Sequence, residues 1–291
     1  FQAEDGIRDS VNGLVGSEMC IRDRVKALHV IHYWGFPQGS LRWRSWCDDR
    51  GLAFVEDGAQ ALLASSEGTS AGAHADLAVY CLYKSFGLPD GAAVYCRREL
   101  PQTTGIRPLG LRAFGRRLGS ALTARSVGLA RLRSRLIAET EDLRIRGAYS
   151  EGEFELGDPY GPPSQLTRLL YGRVIDRRAA DSRRTNYGFL LDRLEASVPS
   201  PFRELVEGAV PIGFPVTVAD ADESARVLRG KLIMPGVFWP TSHPSLGSGP
   251  WELADHFRRR VLALPVHQEL RHPDLERIAK VAATQARPRD R

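Results

Sequence analysis

The sequence is short of several things, and each shortage removes a class of function. Its four cysteines (Cys20, Cys47, Cys81 and Cys96) never occur at C-x-x-C spacing, and with no secretory signal they read as reduced cytosolic thiols rather than a disulfide framework. Seven histidines are scattered without a Cys/His cluster, so no metal site is expected. No G-x-S-x-G elbow follows a strand and no G-x-G-x-x-G follows an early strand, which removes the serine-hydrolase and dinucleotide-binding readings. No apolar run approaches the roughly 20 residues of a membrane helix, and no apolar h-region marks a secretory signal. The expectation is a soluble, cytoplasmic protein.

Lysine is the scarcest charged residue. Of 40 basic residues only Lys26, Lys84, Lys231 and Lys280 are lysines. Arginine stays charged and is a poor nucleophile, whereas a lysine amine can lose its proton and attack a carbonyl. The net charge of +5 is therefore mostly arginine. Ten arginines against three acids fall within 107–146, with leucines at helical spacing. That stretch could face nucleic acid or anionic lipid. It lacks the interleaved aromatics that stack on bases, and the preferred reading is the solvated face of a packing helix, with nucleic acid and membrane not expected as partners.

What is present suggests alternating strands and helices. Residues 1–24 differ from the rest: AEDGIRDS and SEMCIRDR resemble translated sequencing-adaptor sequence, so this segment is read as an artefactual leader outside the fold. VKALHVI reads as a strand, HYWGFPQGS as a loop, 40–50 as a helix closed by Gly51, and LAFVED as the next strand. This βαβ pattern predicts a parallel sheet. Trp43 and Trp46 are expected in the core. GAQALLA is expected to be a short helical turn and 67–75 a small-residue loop. ADLAVYCL is another strand, and GAAVYCRR behind the Pro89-Asp90-Gly91 turn is an antiparallel or edge strand. A linker is expected at 152–164, a helical stretch at 165–197, strands at 211–218, 233–240 and 260–266, and helices at 220–229 and 273–286. The resulting division is 1–24 leader, 25–150 large unit with a basic helical segment, and 151–291 smaller α+β unit.

The chain is organised around 52–95, where three strand-like runs end in polar or glycine-rich sequence. Asp57 and Lys84 stand at two of those ends, where ligands collect in open α/β sheets. Lys84 could be only a solvated loop charge. Together with an acid, however, a lysine that forms an imine is the protein's main contribution to pyridoxal phosphate (PLP) chemistry. The acid holds the pyridine nitrogen protonated, and the lysine holds the aldehyde and shuttles a proton.

In order, IHYWG, FVEDGAQAL, the lysine at 84, DGAAV and VLALPVHQELRHPDLERIAKV resemble the DegT/StrS-type sugar aminotransferases. The resemblance covers most of 25–286 and implies an α/β fold of type I: a partial large domain with a mostly parallel sheet, then a smaller α+β domain. It implies Asp57 at the pyridine nitrogen, Gln60 near the ring hydroxyl, Lys84 as imine lysine and base, and Cys81 where a phosphate-binding serine is expected. His32 matches a structural or pocket-edge histidine, and Trp239 and His243 fall where the smaller domain approaches substrate. The implied cofactor is PLP. The implied partners are a nucleotide-linked keto-sugar, an amino-acid amino donor and a second copy in a homodimer.

The departures imply something too. The strand before Lys84 is short, Asp90-Gly91-Ala92 replaces a double glycine, and the family's N-terminal phosphate loop and ring-stacking aromatic are not found. The chain is therefore expected to be an incomplete aminotransferase-like protein in which cofactor binding is doubtful. The alternative is a non-catalytic or decayed member of the fold without a working phosphate site.

Overall fold

The computed structural model describes residues 25–88, 90–100, 161–176, 178–237 and 252–287. The expectations for the leader, the arginine-rich stretch at 107–146, most of the linker, and Trp239 and His243 lie outside the described residues.

The first sheet forms as the strand pattern requires. Strands β1 (Ala27–Ile31), β2 (Ala53–Asp57) and β5 (Leu77–Cys81) run parallel, and β6 (Ala92–Cys96) closes the order β1-β2-β5-β6 antiparallel to β5. The turn after Pro89 is too short for a crossover, so β6 must fold back on β5. Helix α1 (Ser40–Asp48) makes the β1-to-β2 crossover. Gly51 behind it takes a left-handed φ of 62° with open space around it. Trp43 packs on Cys47, Phe54, Ala75 and Ala78. Trp46 departs from expectation: it is 36% exposed, with the Arg50 guanidinium 4.2 Å from its ring centroid. Immediately before Cys47 in sequence, it lies about 100° round the helix from the face that Cys47 buries.

Two other segments differ from expectation. Residues 58–64 make consecutive turns rather than a helix, closed by Ala61 N–H to Gly58 O and Ala64 N–H to Ala61 O. The small-residue loop contains a two-residue hairpin, β3 (Ser65–Ser66) with β4 (Thr69–Ser70). This hairpin feeds the start of α1: Ser66 Oγ accepts from the Ser40 amide at 3.3 Å, and the Glu67 carboxylate from the Leu41 amide at 3.0 Å. An acid and a hydroxyl thereby satisfy donors that a helix start leaves open.

A one-turn helix α2 (Leu82–Ser85) links β5 to the turn before β6. Later come α3 (Gln165–Val174) and α4 (Ala179–Leu194), where one continuous stretch was expected. Asp176 explains the break, because its Oδ1 accepts from the Arg178 amide at 2.9 Å and its carbonyl from the Ala179 amide. A side chain that competes for nearby amides favours a new helix start over continuation. Strands β7 (Phe214–Thr217), β8 (Gly236–Val237) and β9 (Val261–Leu264) form an antiparallel sheet in the order β7-β9-β8. Helices α5 (Ala221–Gly230), α6 (Glu252–Arg260) and α7 (His272–Gln285) complete the described chain. Helix α6 was not anticipated, although acids in its first turn and three arginines in its last are a dipole-matched signal.

The largest core joins the turn after β1 to the second sheet and its helices. Trp34 stacks on Phe202 with centroids 5.5 Å apart, and Phe36 meets Phe202 and Tyr187 edge-on. These rings join Leu190, Phe214, Val216, Leu262, Leu264 and Ile278 in one buried cluster. Backbone hydrogen bonds reinforce this junction, since the Val210 amide donates to Gly35 O at 2.9 Å and the Ile212 amide to Trp34 O at 3.2 Å. Gly35 sits at φ +85°, and a Cβ there would lie 2.1 Å from the Val210 carbonyl oxygen. Both the dihedral and the rigid neighbour oppose any side chain. Gly35→Ala should therefore lower unfolding stability by about 2–4 kcal/mol, read as a drop in the urea midpoint. A midpoint equal to wild type would refute this close approach.

Candidate functional site

The parallel register sets the site. Ile31 stands opposite Asp57, and Asp57 opposite Val79, so β1, β2 and β5 deliver their C-terminal ends to one edge of the sheet. Asp57 is half-buried at the end of the central strand. Its Oδ1 accepts from the Ala59 amide at 2.8 Å, and its carbonyl accepts from the His32 amide at 3.0 Å. The carboxylate is thus held by its own turn. Lys84 lies on α2, just past the end of the neighbouring strand, with an exposed side chain. Among the described residues no carboxylate pairs with it.

Gln60 is turned toward the end of β1. Its Oε1 accepts from the Trp34 amide at 2.6 Å, in a 3-10 turn at Tyr33–Gly35 where Trp34 has φ +59° and is fully buried. A bulky residue in the left-handed region is strained, and the Gln60 bond and aromatic packing hold it there. Cys81 ends β5 opposite Ala92, half-buried, immediately before α2. Asp90 beyond it is engaged structurally: its Oδ1 accepts from Thr167 Oγ1 at 2.6 Å, Ser164 Oγ at 3.0 Å and the Ser164 amide at 3.1 Å, tying the β6 turn to the start of α3. Asp57, Lys84 and Cys81 therefore share the sheet edge, while Gln60 bridges to the adjoining turn.

Sequence reasoning missed the group behind Asp57. Glu56 alternates to the opposite face of β2 and is completely buried, with His32 and Ser40 equally buried. Its Oε1 accepts from His32 Nε2 at 2.8 Å and from Ser40 Oγ at 2.5 Å. The Gln38 amide donates to His32 Nδ1 at 3.2 Å, which places the ring proton on Nε2. Both nitrogens of His32 are thereby engaged, consistent with a structural rather than a proton-transferring part. The available signal was a Glu-Asp pair at a strand end, because alternation sends one carboxylate inward and a buried carboxylate requires donors.

Burial alone would raise the Glu56 carboxyl, but the hydrogen bonds from His32 and Ser40 outweigh it and hold the group below its ordinary value of 4.5. A depressed folded value contributes stability that is complete above the unfolded value and lost as pH falls through the folded one. Between about pH 5 and pH 3 the wild-type urea midpoint should fall more steeply than that of Glu56→Gln, whose amide does not titrate. Parallel curves would show that Glu56 carries no such linkage.

A second missed group is Arg183 on α4. It is 3% exposed and reaches Ser85 O, one residue beyond Lys84. Among the described residues no group of three His, Cys, Asp or Glu side chains could hold a metal, and no helix is long and apolar enough to cross a membrane.

Comparison with known proteins is informative at this point. Residues 16–100 match the sequence profile of the DegT/DnrJ/EryC1/StrS aminotransferase family. The resemblance to these aminotransferases stands. The matched span holds Asp57, Gln60, Cys81 and Lys84. No curated protein sequence matches the chain. Among solved structures, a DegT DnrJ EryC1 StrS aminotransferase from Brucella abortus superposes with a TM-score of 0.55 at 14% identity, over 88% of this chain and 63% of its own. DesI in the presence of its TDP-sugar product gives 0.52 at 16%, over 90% and 62%. A putative sugar aminotransferase, Spr1654 from Streptococcus pneumoniae, in its PMP form, gives 0.54 at 12%, over 92% and 72%. These likenesses establish the fold as that of the type I aminotransferases. The chain spans less than two thirds of the first of these structures.

Proposed function

We propose that this chain carries the ring-binding part of a PLP-dependent sugar aminotransferase site, for transfer of an amino group from an amino acid to a nucleotide-linked keto-sugar. The observation that carries the reading is the placement of Asp57 and Lys84 at the C-terminal ends of adjacent parallel strands. The donor set fits the ring of the cofactor: an oriented carboxylate at one strand end and an exposed primary amine at the next. It fits the phosphate less well, since the thiol of Cys81 is a weak donor.

When bound, PLP supplies an electrophilic carbonyl and a cationic ring that withdraws electrons from the substrate carbon. The residues have the following parts. Asp57, fixed by the Ala59 amide, would accept a hydrogen bond from the ring nitrogen and favour its protonated form. Gln60, its Oε1 committed to Trp34, has only its amide N–H groups left to offer the ring hydroxyl. Lys84 Nζ would hold the group at its carbonyl carbon, and when free of it would take and return a proton at the substrate carbon. The DesI structure with a TDP-sugar product and the Spr1654 structure in the PMP form support the sugar and cofactor parts of the proposal. A homodimer, a cytoplasmic setting, and a division into a cofactor-bearing unit at 25–150 and a smaller unit at 151–291 belong to the same proposal. Cys81 at the expected phosphate position favours one other reading, a fold member that no longer holds the cofactor.

Incubation of the full chain with PLP, borohydride reduction and peptide mapping separate the two. Lys84 should be labelled ahead of Lys26, Lys231 and Lys280 by about tenfold or more, and Lys84→Ala should abolish the preference. Even labelling of all four lysines would overturn the proposal.

A further inference from the structure

Ser85 ends α2, and a carbonyl at a helix C-terminus has no partner within its helix. Two side chains from the far end of the sequence supply one. Arg183 Nη2 donates to Ser85 O at 2.8 Å and Gln268 Nε2 donates to the same oxygen at 3.4 Å. Arg183 Nε donates to Gln268 Oε1 at 2.9 Å, and Nη1 reaches Pro211 O at 3.5 Å. Among the described residues no carboxylate forms an ion pair with this guanidinium. Burial pushes it down to about 10, with the Glu269 carboxylate opposing, so it stays protonated at neutral pH.

A cation buried among neutral acceptors is costly. An apolar side chain would fill the same space more cheaply, so packing alone does not account for Arg183. What the fork does achieve is a connection. Pro211 lies between Val210 and Ile212, whose amides bond Gly35 O and Trp34 O, and the Trp34 amide bonds Gln60 Oε1. Hydrogen bonds and two short stretches of backbone therefore link the turn after Asp57 to the helix that bears Lys84, through residues 210–212 and Arg183.

We infer that Arg183, together with Gln268, is a positioning residue for Lys84, holding the carbonyl next to it so that the amine faces the Asp57 turn. The inference rests on the reading of Lys84 as the reactive amine. A planar fork is needed because three acceptors in different directions exceed what a single ammonium on a flexible stem can fix.

The test uses the full chain with Gln268→Ala, Arg183→Lys, Arg183→Met and the Gln268→Ala/Arg183→Met double variant. Two quantities are measured on each: hydrogen exchange of the amides in 82–88, and the ratio of borohydride-trapped PLP at Lys84 to that at Lys231 in the same sample. The expected result is faster exchange in 82–88 and a ratio lower by about tenfold to a hundredfold. Arg183→Lys should not restore the ratio, and the double variant should be no worse than Arg183→Met, as expected for two residues acting as one unit. If Arg183→Met does not fold, Gln268→Ala decides, since it removes one arm of the fork from a half-buried site. Wild-type exchange and ratio in Gln268→Ala and Arg183→Met would overturn the inference, as would a full ratio in Arg183→Lys. Faster exchange in 82–88 with no Lys84 preference in the wild type would support the tether and overturn the aminotransferase reading instead.

Discussion

Everything at the candidate site depends on three strands running the same way. Parallel pairing of β1 with β2 and β2 with β5 aligns Ile31, Asp57 and Val79, so each strand's exit opens on the same edge. Had β5 run antiparallel to β2, Asp57 and Lys84 would stand at opposite ends of the sheet, however well their local turns were formed. The alternation along β2 then divides labour between neighbours. Asp57 stays at the half-buried exit, while Glu56 turns inward to His32 and Ser40. One carboxylate stays at the sheet edge and the other fixes the turn after β1.

A sheet edge alone does not hold a catalytic geometry, because its exits are loops. Here the loops are restrained from the second half of the chain. The Val210 and Ile212 amides pair with the turn at Tyr33–Gly35, Trp34 and Phe36 are buried among Tyr187, Phe202 and Phe214, and Arg183 reaches Ser85. Removing water from these contacts makes each polar bond electrostatically stronger and the loss of any partner more costly. The strained Trp34 is explicable in these terms. Its φ of +59° persists because its amide, its carbonyl and its ring are each engaged elsewhere.

Much of this was legible in the sequence. Strand exits at Asp57 and Lys84, the crossover helix at 40–48 and the folded-back β6 follow from period, turn residues and connection length, which are local signals. Gln60 was singled out only through the family resemblance, and its tie to Trp34 was not legible, because a contact between residues 26 apart leaves no local pattern. Arg183 was hidden for a related reason. It sits in an arginine-rich helix beside Arg184, and no periodicity distinguishes a guanidinium that turns inward from one in water. The Glu56 cluster was half legible, since a second acid at a strand end must go somewhere, but its donors come from a loop and a helix start. Trp46 shows the opposite error: a large aromatic was expected inside, whereas Arg50 covers it at the surface.

The central claim is that Asp57 and Lys84 act on opposite ends of one bound ring. Nitrogen-15 NMR of the chain loaded with ring-labelled PLP tests it directly. The account predicts a protonated ring nitrogen at neutral pH in the wild type and an unprotonated one in Asp57→Asn, with the label still attached at Lys84 in both. The same nitrogen state in the two proteins would contradict it.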